Sequence, residues 1–207
     1  MATKTHKPYE VRLKTLYEAE VKQELLKELE LKNVHRVPRL EKIVVAVGLG
    51  RAKDEKALMD GAANTLRKIT GQQPVTTKAK KAIASFKLRE GNIIGLKVTL
   101  RDKLMYEFLD RLVNVVMPRV RDFHGVPNGS FDKGGNYSLG IVEQSVFPEL
   151  SFEDTLKQHG IQVTFVVKQT NPSSTKLLLT KLGLPFEKPH GKTLEKPAIK
   201  PPVKESK

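Results

Sequence analysis

Near the start of the chain, apolar residues recur at threes and fours. Leu13, Leu16, Tyr17, Val21, Leu25 and Leu29 are separated by Glu and Lys, which predicts an amphipathic helix from Pro8 to Asn33. Pro38 closes that region. Ile43 to Val47 is a β-rich run ending at Gly48-Leu49-Gly50. A second helix is expected from Glu55 to Thr70, with Asp54 as its N-cap and Gly71 just past its end. Pro74 blocks any continuation. The stretch TTKAKKAIASFKLREGNIIGLKVTLR (76–101) holds two strand-like runs, with Gly91-Asn92 in the connection. Asp102 is expected to cap a helix carrying Leu104, Phe108, Leu109, Leu112 and Val116, which stops near Pro118. A Gly-rich loop follows from His124 to Gly135, and a strand begins near Tyr137. A short helical piece covers Ser151 to Gln158. Ile161 to Lys168 alternates cleanly, and Asn171-Pro172 caps a last helix, Ser173 to Leu182, with Gly183 behind it.

Helices and antiparallel-type strands are mixed here without strict βαβ alternation. That predicts an α+β fold: an antiparallel sheet with helices packed on one face. Residues 1–187 are expected to form one domain. From Glu187 the composition changes to EKPHGKTLEKPAIKPPVKESK, rich in Lys and Pro and nearly free of apolar residues. The prolines oppose a continuous helix, so 188–207 read as a flexible basic tail.

Strand side chains alternate between faces. Leu96, Val98 and Leu100 fall on one side, and Lys97, Thr99 and Arg101 on the other. Ile43, Val45 and Val47 oppose Lys42, Val44 and Ala46. Around Phe86, the set Ala84, Phe86 and Leu88 opposes Ser85, Lys87 and Arg89. If these strands are neighbours, the sheet keeps one apolar face under helices and one open face bearing Lys, Arg, Thr and Ser. Such a face fits a nucleic-acid backbone, and it fits solvent equally well.

Charge moves that balance. The 207 residues include 37 Lys+Arg and 23 Asp+Glu, a net +14, with a pI near 9.9. An excess of that size points to a polyanionic partner. No apolar run approaches the ~20 residues that span a bilayer, so no membrane partner is expected. The start, MATKTHKPYE, has no apolar signal core, which favours a cytoplasmic protein. Cysteine is absent. The five histidines lack zinc-helix spacing, so neither a metal site nor a cofactor is indicated. Lys78, Lys80, Lys81, Lys87 and Arg89 crowd one span with a single acid, Glu90. Small residues (Ala79, Ala82, Ala84) surround the first three, so the segment reads as a mobile basic loop that orders against RNA.

Enzyme signatures are incomplete. Val47-Gly48-Leu49-Gly50 invites a dinucleotide-binding reading, but the third glycine of that fingerprint would fall at Lys53. A strand-to-helix turn accounts for the two glycines. No Walker-type or nucleophile-elbow string is present, and Asp122 and Asp132 suit turns better than a catalytic pair. Aromatics are only 6% of the chain, so recognition through RNA shape and backbone is expected over base stacking. A general DNA-binding module remains an alternative at this point.

Five strings together carry a more specific signal: VPRLEKIVVAVGLG (37–50), GQQPVTTKAKKAIASFKLREGNIIGLKVTLR (71–101), MPRVRDFHGV (117–126), SFDKGGNYSLGIVEQSVFPEL (130–150) and GLPFEK (183–188). In order and spacing they resemble the bacterial-type large-subunit ribosomal protein family that binds 5S ribosomal RNA. The resemblance runs from about residue 8 to 188. It implies an α+β fold whose open sheet face binds 5S RNA in the central protuberance. It also implies contact with 23S RNA, with the other 5S-binding protein, with peptidyl-site transfer RNA through a loop, and with a small-subunit head protein at an intersubunit bridge.

The resemblance also suggests residues. The family's 5S-contacting glutamine and threonine match Gln72 and Thr99. With the outward cations Lys42, Lys97 and Arg101, they form the candidate 5S site. The transfer-RNA loop matches Lys78 to Arg89, with Lys78, Lys80, Lys81, Ser85, Lys87 and Arg89 as candidate contacts. A family asparagine on the first strand is Ala46 here, so one side-chain contact worth about 0.5–1.5 kcal/mol is expected to be lost, with Lys42 placed to offset it by charge. Ala82, Ser85 and Val142 stand where the family often has serine, glycine and arginine.

Overall fold

The computed structural model describes residues 10–50, 56–156, 158–168 and 171–187. The basic tail, the first residues of the chain and the Asp54 cap lie outside the described residues. Helix α1 (Arg12–Leu16) passes through a π-helical turn (Tyr17–Val21) into α2 (Lys22–Glu28). The single long helix expected from periodicity is therefore shorter at its C-terminal end and interrupted. Its buried positions are still those of the repeat: Leu13, Tyr17, Val21 and Leu25.

Strand β1 (Arg39–Gly48) leads to α3 (Lys56–Thr70). Gly71 follows α3 at φ +69°, the left-handed conformation that closes a helix and that glycine adopts without strain. Then come β2 (Val75–Lys78), β3 (Ile93–Leu100) and α4 (Asp102–Arg111). Asp102 does not cap α4. Arg101 holds the N-cap position with extended backbone, and Asp102 is the first helical residue, at φ 49°. β3 turns into α4 with no intervening loop, and aspartate is among the few residues that tolerate such a φ. Beyond α4 the chain continues through a π-turn and a 3-10 turn that carries Pro118.

The remaining elements are β4 (Tyr137–Ile141), α5 (Phe152–Thr155), β5 (Ile161–Lys168) and α6 (Pro172–Lys181). α5 is shorter than the sequence suggested. β5 has the bounds its alternation predicted, and Pro172 occupies the first turn of α6, where its missing N–H costs nothing.

The five strands form one antiparallel sheet in the order β2-β3-β1-β5-β4. Period-2 alternation gives it two unlike faces. Inward rows run Val98–Val45–Val163–Leu139 and Leu100–Ile43–Phe165–Tyr137. These residues are buried and join one core with Leu66 and Ile69 of α3, Phe108 and Leu109 of α4, and Leu178 and Leu179 of α6. On β4, buried Tyr137 donates its hydroxyl to the Pro127 carbonyl at 2.9 Å. Burial pushes its phenol up to about 12.

Candidate nucleic-acid interface

Residues paired directly across antiparallel strands share a face, so the register assigns the other side of the sheet. One row runs Val75–Lys97–Ala46–Gln162–Gly140. The next runs Thr99–Val44–Thr164–Ser138, and Lys42 stands beside Val166 in a third. Lys97, Thr99 and Gln162 are exposed, whereas Lys42, Val44, Ala46 and Thr164 are partly covered. Short side chains lie between the cations on this face. Ser138 and Thr164 satisfy one another through their hydroxyls at 3.2 Å.

The sequence-derived site is thus partly assembled. Lys42, Lys97 and Thr99 lie on this face. Arg101 lies just past β3, exposed and 3.7 Å from Glu41, which partly spends its charge. Among the described residues no acid pairs with Lys42 or Lys97. Gln72 is not on the sheet. It sits half-buried in the turn after α3, its backbone N–H 3.3 Å from the Thr70 hydroxyl, and leads into β2 at the end nearer Thr99.

The basic segment occupies the other end of the β2–β3 hairpin. Ala79 is buried, its N–H donating to the Asn92 carbonyl at 2.8 Å and its carbonyl accepting from Gly91 at 3.0 Å. Further out, Ile83 and Leu88 exchange backbone hydrogen bonds of 2.9 and 3.0 Å. The loop is held at its base by the Ala79 bonds and further out by the Ile83–Leu88 pair. It builds none of this from a side-chain core, relying instead on backbone pairing, which composition does not reveal.

The strand expected around Phe86 is absent. Ala84–Phe86 is a 3-10 turn and Lys87 is left-handed at φ 49°. The supposed separation of Ser85, Lys87 and Arg89 from Ala84, Phe86 and Leu88 fails, because a tip turning this tightly cannot hold a period of two. Lys78, Lys80, Lys81, Ser85, Lys87 and Arg89 are all exposed, and none of Lys78, Lys80, Lys81 and Arg89 has an acid partner among the described residues. Sequence reasoning missed Ile83 and Phe86, which the tip exposes by 45% and 69%. It also missed Gln162, Thr164 and Ser138 as part of the open face. The alternation of β5 was visible, but its place beside β1 was not.

Two consecutive family models cover this architecture. The ribosomal protein L5 model matches residues 33–89, which include β1 and the first half of the hairpin. The model for the C-terminus of the same ribosomal family matches residues 93–186, from β3 to the end of the described chain but for its last residue. The chain belongs to the ribosomal protein L5 family. It is similar to the large ribosomal subunit protein uL5 of Trichlorobacter lovleyi, 53% identical over 175 residues that cover 84% of this chain and 98% of that protein. The uL5 protein of Fusobacterium nucleatum is 51% identical over 180 residues, 87% of this chain and 98% of its own length. That of Mesoplasma florum is 50% identical over 177 residues, 86% and 98% respectively. L5 membership makes this a structural ribosomal protein and not an enzyme. Gly48, the first glycine of the Gly48–Gly50 string, closes β1 opposite Gly95.

Proposed function

We propose that this protein is a cytoplasmic structural constituent of the large ribosomal subunit that binds 5S ribosomal RNA through the open face of its sheet. Lys42, Lys97 and Arg101 supply charge, and Thr99 and Gln72 supply positioning hydrogen bonds. The exposed loop cations Lys78, Lys80, Lys81, Lys87 and Arg89, with Ser85, reach peptidyl-site transfer RNA. The family resemblance adds 23S RNA, the second 5S-binding protein and a head protein of the small subunit as neighbours in the central protuberance.

One observation carries the reading: among the described residues helices cover only one side of the sheet, and Lys42 and Lys97 stand on the other without an acid partner. The two basic surfaces are also separate. Thr99 lies six residues along β3 from the loop end of that strand at Ile93, a span of about 20 Å at the rise of an extended chain. One protein can therefore hold two RNAs at once.

The test is binding to 5S RNA and to a length-matched unrelated duplex RNA across a salt series, with the Thr99→Ala protein alongside. Preference for 5S RNA that survives near-physiological salt, and that weakens with Thr99→Ala, supports the proposal. Equal affinities that collapse together with salt would reduce the interface to general polyanion attraction.

A further inference from the structure

Gln162 is the only amide on the open face among the described strand residues, and it stands in unusual surroundings. Its cross-strand neighbours are Ala46 on one side and Gly140 on the other. Neither rises to its height, so the exposed side chain has room on both flanks. Beside it is a shallow, open recess of about 440 Å³ whose lining includes Ala46, Gly48, Gly140, Val142, Gly160 and Gln162. Four of those six residues contribute at most a methyl group. A Cβ added at Gly48 or at Gly140 would meet nothing within 4 Å, so the space above the floor is open.

The chemistry differs from the rest of the face. Lys97, on the same row, attracts phosphate but reads no sequence. A primary amide can donate to a phosphate, but it also offers donors and an acceptor in one plane, which together match the edge of a nucleobase. An open, nearly side-chain-free floor beside that amide leaves room for the face of a base. Building on the RNA-binding role proposed above, we propose that this recess seats one unpaired nucleobase of the bound RNA, with the Gln162 amide reading its edge. Gln162 thereby supplies a side-chain hydrogen bond on the row where Ala46 supplies none. Gln162 then adds base readout on the β1–β5–β4 side to the charge and positioning contacts of the β3–β1 side.

The experiment footprints 5S RNA on the full chain with base-edge-specific and backbone-specific chemical probes, comparing wild type, Gln162→Ala and Gly140→Val. Valine at 140 fills the recess, and its β-branch suits a strand. Gly140→Ala substitutes should valine lower the melting temperature. The expected result is one unpaired base protected at its edge by wild type and re-exposed in both variants. Affinity should fall about 2- to 10-fold, while backbone protection and the salt slope stay unchanged. Identical base protection in all three proteins would overturn the inference, as would loss in only one variant, since seat and amide act together. A wild-type protein with no 5S footprint would instead overturn the RNA-binding role itself.

Discussion

Gly48 and Gly95 face each other across β1 and β3, yet they should respond very unequally to the same substitution. A Cβ on Gly95 would lie 2.6 Å from the Val47 carbonyl oxygen and 3.1 Å from the Thr77 hydroxyl. Ordinary contact begins near 3.4 Å, so β1 and β3 would have to part locally by about 0.8 Å, the difference between those two distances. The obstructing atom is backbone, and no change of rotamer removes it. Forced overpacking of this kind costs about 1–3 kcal/mol, a large share of a total stability of about 5–15 kcal/mol. With a urea dependence of about 2 kcal/mol per M, Gly95→Ala should lower the unfolding midpoint by about 0.5–1.5 M. Gly48→Ala, with open space around its Cβ, should move the midpoint by less than about 0.25 M, the range of an unstrained surface change. Among the described strands β2 pairs only with β3, so Gly95→Ala should also raise hydrogen exchange at Ala79 and Gly91 in the hairpin. Equal midpoints for the two variants would refute the reasoning, because the asymmetry rests wholly on the close approach at Gly95.

Three further predictions concern charge. Replacing Lys78, Lys80 and Lys81 by Gln should leave 5S affinity within about twofold and weaken transfer-RNA binding, lowering its salt slope by about 1 for each lysine that meets a phosphate; the reverse pattern would show that the two surfaces have been exchanged. Burial keeps the Tyr137 phenol protonated up to about 12 against an ordinary 10.0, so the unfolded chain loses its proton first. Stability should fall as pH rises from about 10 to about 12, and Tyr137→Phe should flatten that limb in alkaline denaturation. Asp154 is held down to about 2 by hydrogen bonds from the Lys68 ammonium and from Ser151. Its stabilisation is full above the ordinary 3.8 and is lost as pH falls toward 2, so Asp154→Asn should remove part of the acid limb; an unchanged acid profile would mean that the ion pair to α3 contributes nothing.

Much of this fold was legible because period-2 and period-3.6 patterns report which face of an element is buried. β5 and the inward set of β1 follow directly from that. The hairpin loop resisted for a physical reason: it is built from backbone pairing at Ala79, Ile83 and Leu88, and backbone groups are the same in every residue. The Phe86 segment misled because six alternating residues mimic a strand when nothing in the sequence shows the tight turn at Lys87. Of the candidate residues, Lys42, Lys97 and Thr99 were placed on the open face by alternation. That Gln162 lies next to Ala46 was not legible, because it follows from strand order, a property of residues more than a hundred positions apart.

That strand order has a consequence in time. β1 is the central strand, and Val45 pairs with Val163, about 120 residues later in synthesis. At about 5–20 residues per second, β1 waits roughly 6–24 s for its second partner. Throughout that interval it presents unpaired backbone N–H and C=O groups along one edge, the sort of surface on which nascent chains associate wrongly. The fold can therefore complete only when the chain is nearly finished. Proteolysis of stalled nascent chains ending before Ile161 and after Lys168 would date that event: protection of β1 should appear only in the longer set.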